Sequence, residues 1–268
     1  MDDKSQFLLG HEPIGGRPNV QREIQRIRRD PLGPLLDRID GDATQVLSTP
    51  RTRYRDAYNL YCLSVSRYLK EMSVAARHSL GPYLVRRAGG KCTNAQRKLV
   101  DEYKKIAPFL ELDLVNCLIH SRILMDRVTG VSQSFLRCSK LPSFTSFNDH
   151  KKFFRVLTTP YGTHEEYADY IRTRTNWFDM PLRAARDKFV VHAAPRHMRV
   201  LGYRSNYELE FGLLVPTNPK SPAPLASVQW IAVNILRLSY DLEKFLNWFS
   251  SYGLHALDET GEGSRDIN

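Results

Sequence analysis

Arg186-Asp187-Lys188-Phe189-Val190-Val191-His192 reads as the C-terminal end of a helix, and it gathers an arginine, an acid and a histidine on an otherwise apolar segment. At about 100° per residue, Leu182, Ala185, Phe189 and Ala193 form one stripe, the face such a helix would bury. Arg186 sits on one shoulder of that stripe and His192 on the other, about 120° apart and roughly 9 Å apart along the axis. A guanidinium can hold a phosphate and an imidazole can move a proton near neutral pH. A second copy facing the first across a cleft would bring two such arginines and two such histidines together, so the placement suits a dimeric site better than a monomeric one. Spacing alone does not assign chemistry. Chance supplies arginine-to-histidine intervals freely, Arg183 lies four residues before Asp187 and could pair with it, and a charged histidine near the last carbonyls gains about 0.3–1 kcal/mol for that reason alone.

Working outward toward the N-terminus, Asp179-Met180-Pro181 reads as the start of the motif helix, with Asp179 as cap and Pro181 in the first turn. Thr163-His164-Glu165-Glu166 has the form of a capping box and opens a helix over Tyr167, Ile171 and Trp177. Residues 130–163 read as a connection with one short helix around Phe147–Leu157. Before it, a long helical pattern runs from Thr93 to about Thr129, with Leu110, Leu114, Cys117, Leu118 and Leu124 as its apolar stripe and a possible break at Pro108. Arg122 and Asp126 on it are four residues apart and predict an intrahelical ion pair. The helix after Thr49-Pro50 extends to about His78, with Tyr54, Tyr58, Tyr61, Val65, Tyr68 and Met72 on one face and Arg51, Arg53, Arg55 and Arg67 interleaved. Residues 1–50 read as a basic, proline-rich arm carrying one short helix over Val20–Arg29.

Toward the C-terminus the period changes. Met198–Tyr203 and Tyr207–Val215 predict a β-hairpin, and the prolines 216, 219, 222 and 224 a loop. A final helix is expected from about Ala226 to Tyr252, with Trp230, Val233, Leu236, Tyr240, Leu242, Phe245 and Trp248 toward the core and Gly253 as its terminator. Residues 256–268 read as an acidic tail without fixed structure. The expected architecture is mainly α: an antiparallel helical bundle over 51–255 with a small hairpin insertion at 198–215.

The 268 residues carry 39 basic and 29 acidic side chains, a formal charge of +10. Arginine accounts for 27 of the 39. A basic surplus favours approach to polyanions, and the guanidinium fork tilts the choice toward nucleic acid. Cys62, Cys92, Cys117 and Cys138 are scattered, without a metal-ligand or C-x-x-C spacing, and Cys62 and Cys117 fall in apolar helical patterns. A signal-like leader and an apolar run of the roughly 20 residues needed to span a bilayer are both missing. The expectation is a cytoplasmic protein with no membrane partner, metal or cofactor. G-x-S-x-G, H-E-x-x-H, P-loop and dinucleotide patterns are absent, which sets aside the common hydrolase and nucleotide-binding classes.

The string Arg-Asp-Lys-x-x-Val-His at a helix end, in a basic and largely helical chain, resembles the HEPN superfamily, in particular its abortive-infection-like branch. The likeness is specific over about seven residues and architectural over roughly 51–252: long helices before the motif and one aromatic-rich helix after it. It implies a dimeric helical bundle acting as a metal-independent endoribonuclease in phage defence or a toxin–antitoxin pair, with RNA as substrate and a cognate antitoxin protein as a further partner. Carried over, Arg186 would hold the scissile phosphate, His192 would be the general acid or base, and Asp187 would orient one of them. Arg183, Lys188 and Arg196 would lie along the RNA. Asp187 stands where active versions often carry a neutral polar residue, and Val191 where alanine is common. The same likeness also allows a non-catalytic helical module that binds nucleic acid or protein.

Overall fold

A computed structural model describes residues 7–9, 19–42, 49–78, 93–136, 141–156, 164–183, 198–204, 208–215, 227–233 and 235–262. The described chain is mainly helical. Its helices are α1 (Val20–Ile27), α2 (Gly33–Asp42), α3 (Thr49–His78), α4 (Asn94–Ser132), α5 (Phe147–Phe154), α6 (Glu165–Arg174) and α7 (Ile235–Glu262), with a π-helical turn at Phe178–Arg183.

The frame is the antiparallel pair α3 and α4. On α3 the predicted face is buried: Tyr54, Tyr58, Tyr61, Val65, Tyr68 and Met72, joined by Cys62 and Leu69. On α4 the stripe Leu110, Leu114, Cys117, Leu118 and Leu124 is buried as expected, and the helix runs on through Pro108. The tyrosine face also does polar work at its edge. Tyr58 donates to the carbonyls of Ile27 and Arg29, each at 2.7 Å, and Tyr54 donates to Asp30 at 2.8 Å. The Tyr58 hydroxyl and the Cys62 thiol meet the Ile27 carbonyl at the end of α1, where helix acceptors outnumber backbone donors.

Ile24, Ile27, Leu32, Leu35 and Leu36 belong to the core, and a second helix follows α1 where only one short helix was expected. α1 forms as predicted, capped by the Asn19 side chain and burying Ile24 and Ile27. Beyond it, Leu32 is buried just before α2, and α2 buries Leu35 and Leu36. Pro31 and Pro34 suggest a loop locally, but Pro34 lies in the first turn of α2, where a missing N–H is tolerated.

The predicted hairpin is present as an antiparallel pair, β2 (Met198–Arg204) with β3 (Glu208–Val215), interrupted by a register shift between Val200 and Gly202. It is not isolated. β3 pairs antiparallel with β4 (Ser227–Val233), which pairs in parallel with β1 (Phe7–Leu9), giving the order β1-β4-β3-β2. This overturns the helical reading of 226–233, where Trp230 and Val233 were expected on a helix face. The run Ser227-Val-Gln-Trp-Ile-Ala-Val is rich in β-branched and aromatic residues, and β3 supplies the ladder that decides its conformation.

The final helix is displaced accordingly and runs from Ile235 to Glu262. Leu236, Leu242, Phe245 and Phe249 are buried along it. Gly253 lies inside this helix and does not end it, so 256–262 are helical where an unstructured tail was expected. A Cβ at Gly253 would stand 2.8 Å from a Leu35 methyl and 3.0 Å from the Phe135 ring, so this glycine permits close approach of neighbouring elements.

Candidate functional site

The motif is entered through the π-helical turn Phe178–Arg183, and the described residues define how that turn is held. Phe178 is fully buried, its ring 4.6 Å from that of Phe147. The Arg122 guanidinium lies 4.4 Å from the Phe178 centroid on the α4 side, in a cation–π arrangement. Arg122 also pairs with Asp126 at 3.3 Å, the predicted i,i+4 bridge. The other Asp126 role was not predicted: Oδ1 accepts the Phe147 N–H at 2.8 Å, which ties the start of α5 to α4. Ser146 caps α5 by accepting the Asp149 N–H and donating to the Asp149 carboxylate.

On the α5 side the turn is held by Lys151, whose side chain is 1% exposed. Its Nζ donates to the Thr175 carbonyl and to Asp179 Oδ2, both at 2.8 Å. Arg155, at 52% exposure, adds a second contact to the same carboxylate oxygen at 2.7 Å. Asp179 therefore binds two cations and is not the helix cap that its place before Pro181 suggested. Leu182 is buried, as the expected stripe required. Arg183 closes the turn, while Arg186, Asp187, Lys188, His192 and Arg196 lie outside the described residues.

Beside this anchor, His150 is buried among Phe144, Phe147, Phe154 and Tyr167, with Nε2 2.8 Å from the Tyr167 hydroxyl. Among the described residues its Nδ1 has no hydrogen-bond partner. Burial lowers the His150 pKa to about 3, so the ring is neutral at ordinary pH and serves packing. Burial likewise lowers His164, partly opposed by Glu259, and lowers His120. At α6 the expected capping box is replaced by His164 at the N-cap without a side-chain cap bond; its Nδ1 lies 2.8 Å from the Tyr252 hydroxyl, and Thr163 is outside the described residues.

A second polar centre joins α1 to α7. The Arg26 guanidinium lies 3.7 Å from the Tyr240 centroid, pairs with Glu23 and Glu243, and donates to Ser239 at 2.9 Å. Tyr240 in turn donates to Glu23. The adjoining cavity, bordered by Arg26, Tyr58, Tyr61 and Glu243, measures about 10 Å³ and has room for one water molecule. This centre is a joint between helices, too small for a substrate.

Cys62 and Cys117 are both buried thiols, as their helical context predicted. Burial pushes the Cys62 thiol up to about 12, which removes it as a nucleophile. Among the described residues no group of three or more His, Cys, Asp or Glu side chains is placed to hold a metal ion, and no helix is long and apolar enough to cross a membrane. No family model, curated protein or solved structure matches the chain.

Local sequence could not point to the Lys151–Asp179 contact, because its partners are separated by 28 residues and lie in different elements. The Arg122–Asp126 pair was visible because both residues share one helix. What the arrangement can do is mechanical: it pins the segment that feeds Arg183 and the motif to α4 and α5.

Proposed function

We propose that the chain is a HEPN-like, metal-independent endoribonuclease of phage defence or a toxin–antitoxin system, acting as a homodimer. One observation carries the reading: the heptapeptide Arg186–His192, with arginine, acid and histidine in HEPN order, follows a helical turn anchored by the buried Phe178 and Leu182 in a basic, mainly helical chain. The rigid hold on Phe178 and Asp179 supports it, since a catalytic segment needs a fixed base.

In the proposed reaction the ribose 2′-hydroxyl attacks the adjacent phosphorus. His192 takes the proton from that hydroxyl, or returns one to the departing 5′-oxygen as the P–O5′ bond breaks. The products are a 2′,3′-cyclic phosphate and a 5′-hydroxyl. Arg186 neutralises charge on the phosphoryl oxygens, Asp187 orients its neighbours, and Arg183, Lys188 and Arg196 hold flanking phosphates.

The test is RNA cleavage by purified protein in EDTA. Wild type is expected to cut and to leave cyclic phosphate ends, whereas Arg186→Ala and His192→Ala each lose at least about 100-fold in rate, the scale of a general acid–base or oxyanion contribution. Full activity in both variants would refute the assignment. A second reading is favoured by Asp187, whose negative charge sits beside an anionic substrate: a non-catalytic module binding nucleic acid or protein through its basic surface. That reading predicts salt-sensitive RNA retention without cleavage and no effect of His192→Ala.

A further inference from the structure

The face of α3 turned away from the core carries an apolar pair. Leu60 and Leu63 are 45% and 63% exposed. With Arg53, Asp56 and Arg67 they recur at intervals of three and four residues, the spacing of a seam between two helices. Arg67 reaches across to α4, its Nε 3.1 Å from Asp113 Oδ2. Phe109 and Leu112 on α4 are also exposed.

We propose that this strip is a self-complementary docking surface for a second copy of the chain, with α3 packing antiparallel on its symmetry mate. The charges select that occupant. With the two-fold axis midway between Leu60 and Leu63, each Leu60 meets the partner's Leu63, and each Asp56 comes level with the partner's Arg67. Arg53 and Glu71 are eighteen residues apart, five full turns at about 3.6 residues per turn, so they share one flank of the helix. Antiparallel pairing sets Arg53 against the partner's Glu71, within about 1.5 Å of level. Lys70 falls on the other flank.

Among the described residues Arg53, Asp56 and Glu71 make no ion pair within the chain, and Arg67 holds Asp113 through Nε, which leaves its terminal nitrogens to meet the partner's Asp56. An isologous interface requires both halves of each match on one patch, and this patch holds both. A helix carrying one sign of charge would match only half of it. The seam from Arg53 to Glu71 is about 27 Å long. The proposal uses none of residues 183–196 and does not rest on the ribonuclease reading.

Sedimentation of the full chain tests it. Wild type is expected to dimerise, and Leu63→Lys to be monomeric with the unfolding midpoint that wild type shows when diluted to monomer, because Leu63 is exposed in the single chain. Arg53→Glu and Glu71→Arg should each weaken association roughly tenfold, since each creates two like-charge contacts. The double variant Arg53→Glu/Glu71→Arg should recover it. A wild-type chain that stays monomeric at roughly 100 μM, weaker than ordinary specific association, overturns the proposal. So does a dimer that survives Leu63→Lys, or one broken only by changes at Arg186 or His192, or a double charge reversal no tighter than the singles. Loss of RNA cleavage in His192→Ala with unchanged sedimentation bears on the ribonuclease reading alone.

Discussion

Lys151 and Arg155 bind the same carboxylate, yet they differ in what their removal should do. Lys151 is almost fully buried and also serves the Thr175 carbonyl, whereas Arg155 is half exposed. Lys151→Met should cost about 2–3 kcal/mol, because it strands a buried acceptor and half of an ion pair. Arg155→Ala should cost under about 1 kcal/mol, as exposed pairs do. Urea unfolding of the two variants measures the difference, and equal losses would show that burial does not set the value of the contact. His150 gives a pH signature. Its folded pKa is lowered from 6.5 to about 3 by burial, so the unfolded chain binds the extra proton between those values. Its contribution is complete above the unfolded pKa and is lost as pH falls toward the folded one. His150→Gln should therefore reduce the stability difference between pH 7 and pH 5 by about 2 kcal/mol, at 1.36 kcal/mol per pKa unit. An unchanged pH slope would mean that the ring is already solvated.

At the scale of elements, the chain ends its last helix nine residues beyond the glycine that looked like a terminator. Gly253 sits where α7 passes Leu35 of α2 and Phe135 after α4, and even a single added carbon meets both. Gly253→Val should therefore destabilise the protein by about 1–3 kcal/mol through overpacking. A rise in the thermal midpoint would instead assign Gly253 to helix entropy alone, since replacing glycine inside a helix is otherwise favourable. The same helix begins later than its apolar period suggested. Residues 227–233 satisfy helical and strand patterns together, and a pairing partner resolves such ambiguity where periodicity cannot. α2 was missed for the opposite reason: its prolines are visible locally, but the core that receives Leu32, Leu35 and Leu36 is not.

For the whole molecule, the variants at Arg186 and His192 separate chemistry from scaffold only if they unfold like wild type while losing cleavage; circular dichroism and urea midpoints beside the RNA assay supply that control. The α3 seam concerns assembly and stands or falls on its own test. The long helices were legible in the sequence. α3 and α4 bury the tyrosine and leucine faces that their 3.6-residue periods predicted, because a helix fixes which of its own residues share a face whatever it packs against. The Arg122–Asp126 bridge was legible for the same reason. The motif, too, was visible as sequence, and its proposed role still rests on that string. Tertiary structure alone decided that 227–233 is a strand, that residues 33–42 form a core helix, that Gly253 marks a crossing, and that Lys151 and Asp179 pin the turn leading to the motif. Each of these depends on a partner remote in the chain, and burial or strand pairing with that partner outweighs the small local preferences that sequence spacing reveals.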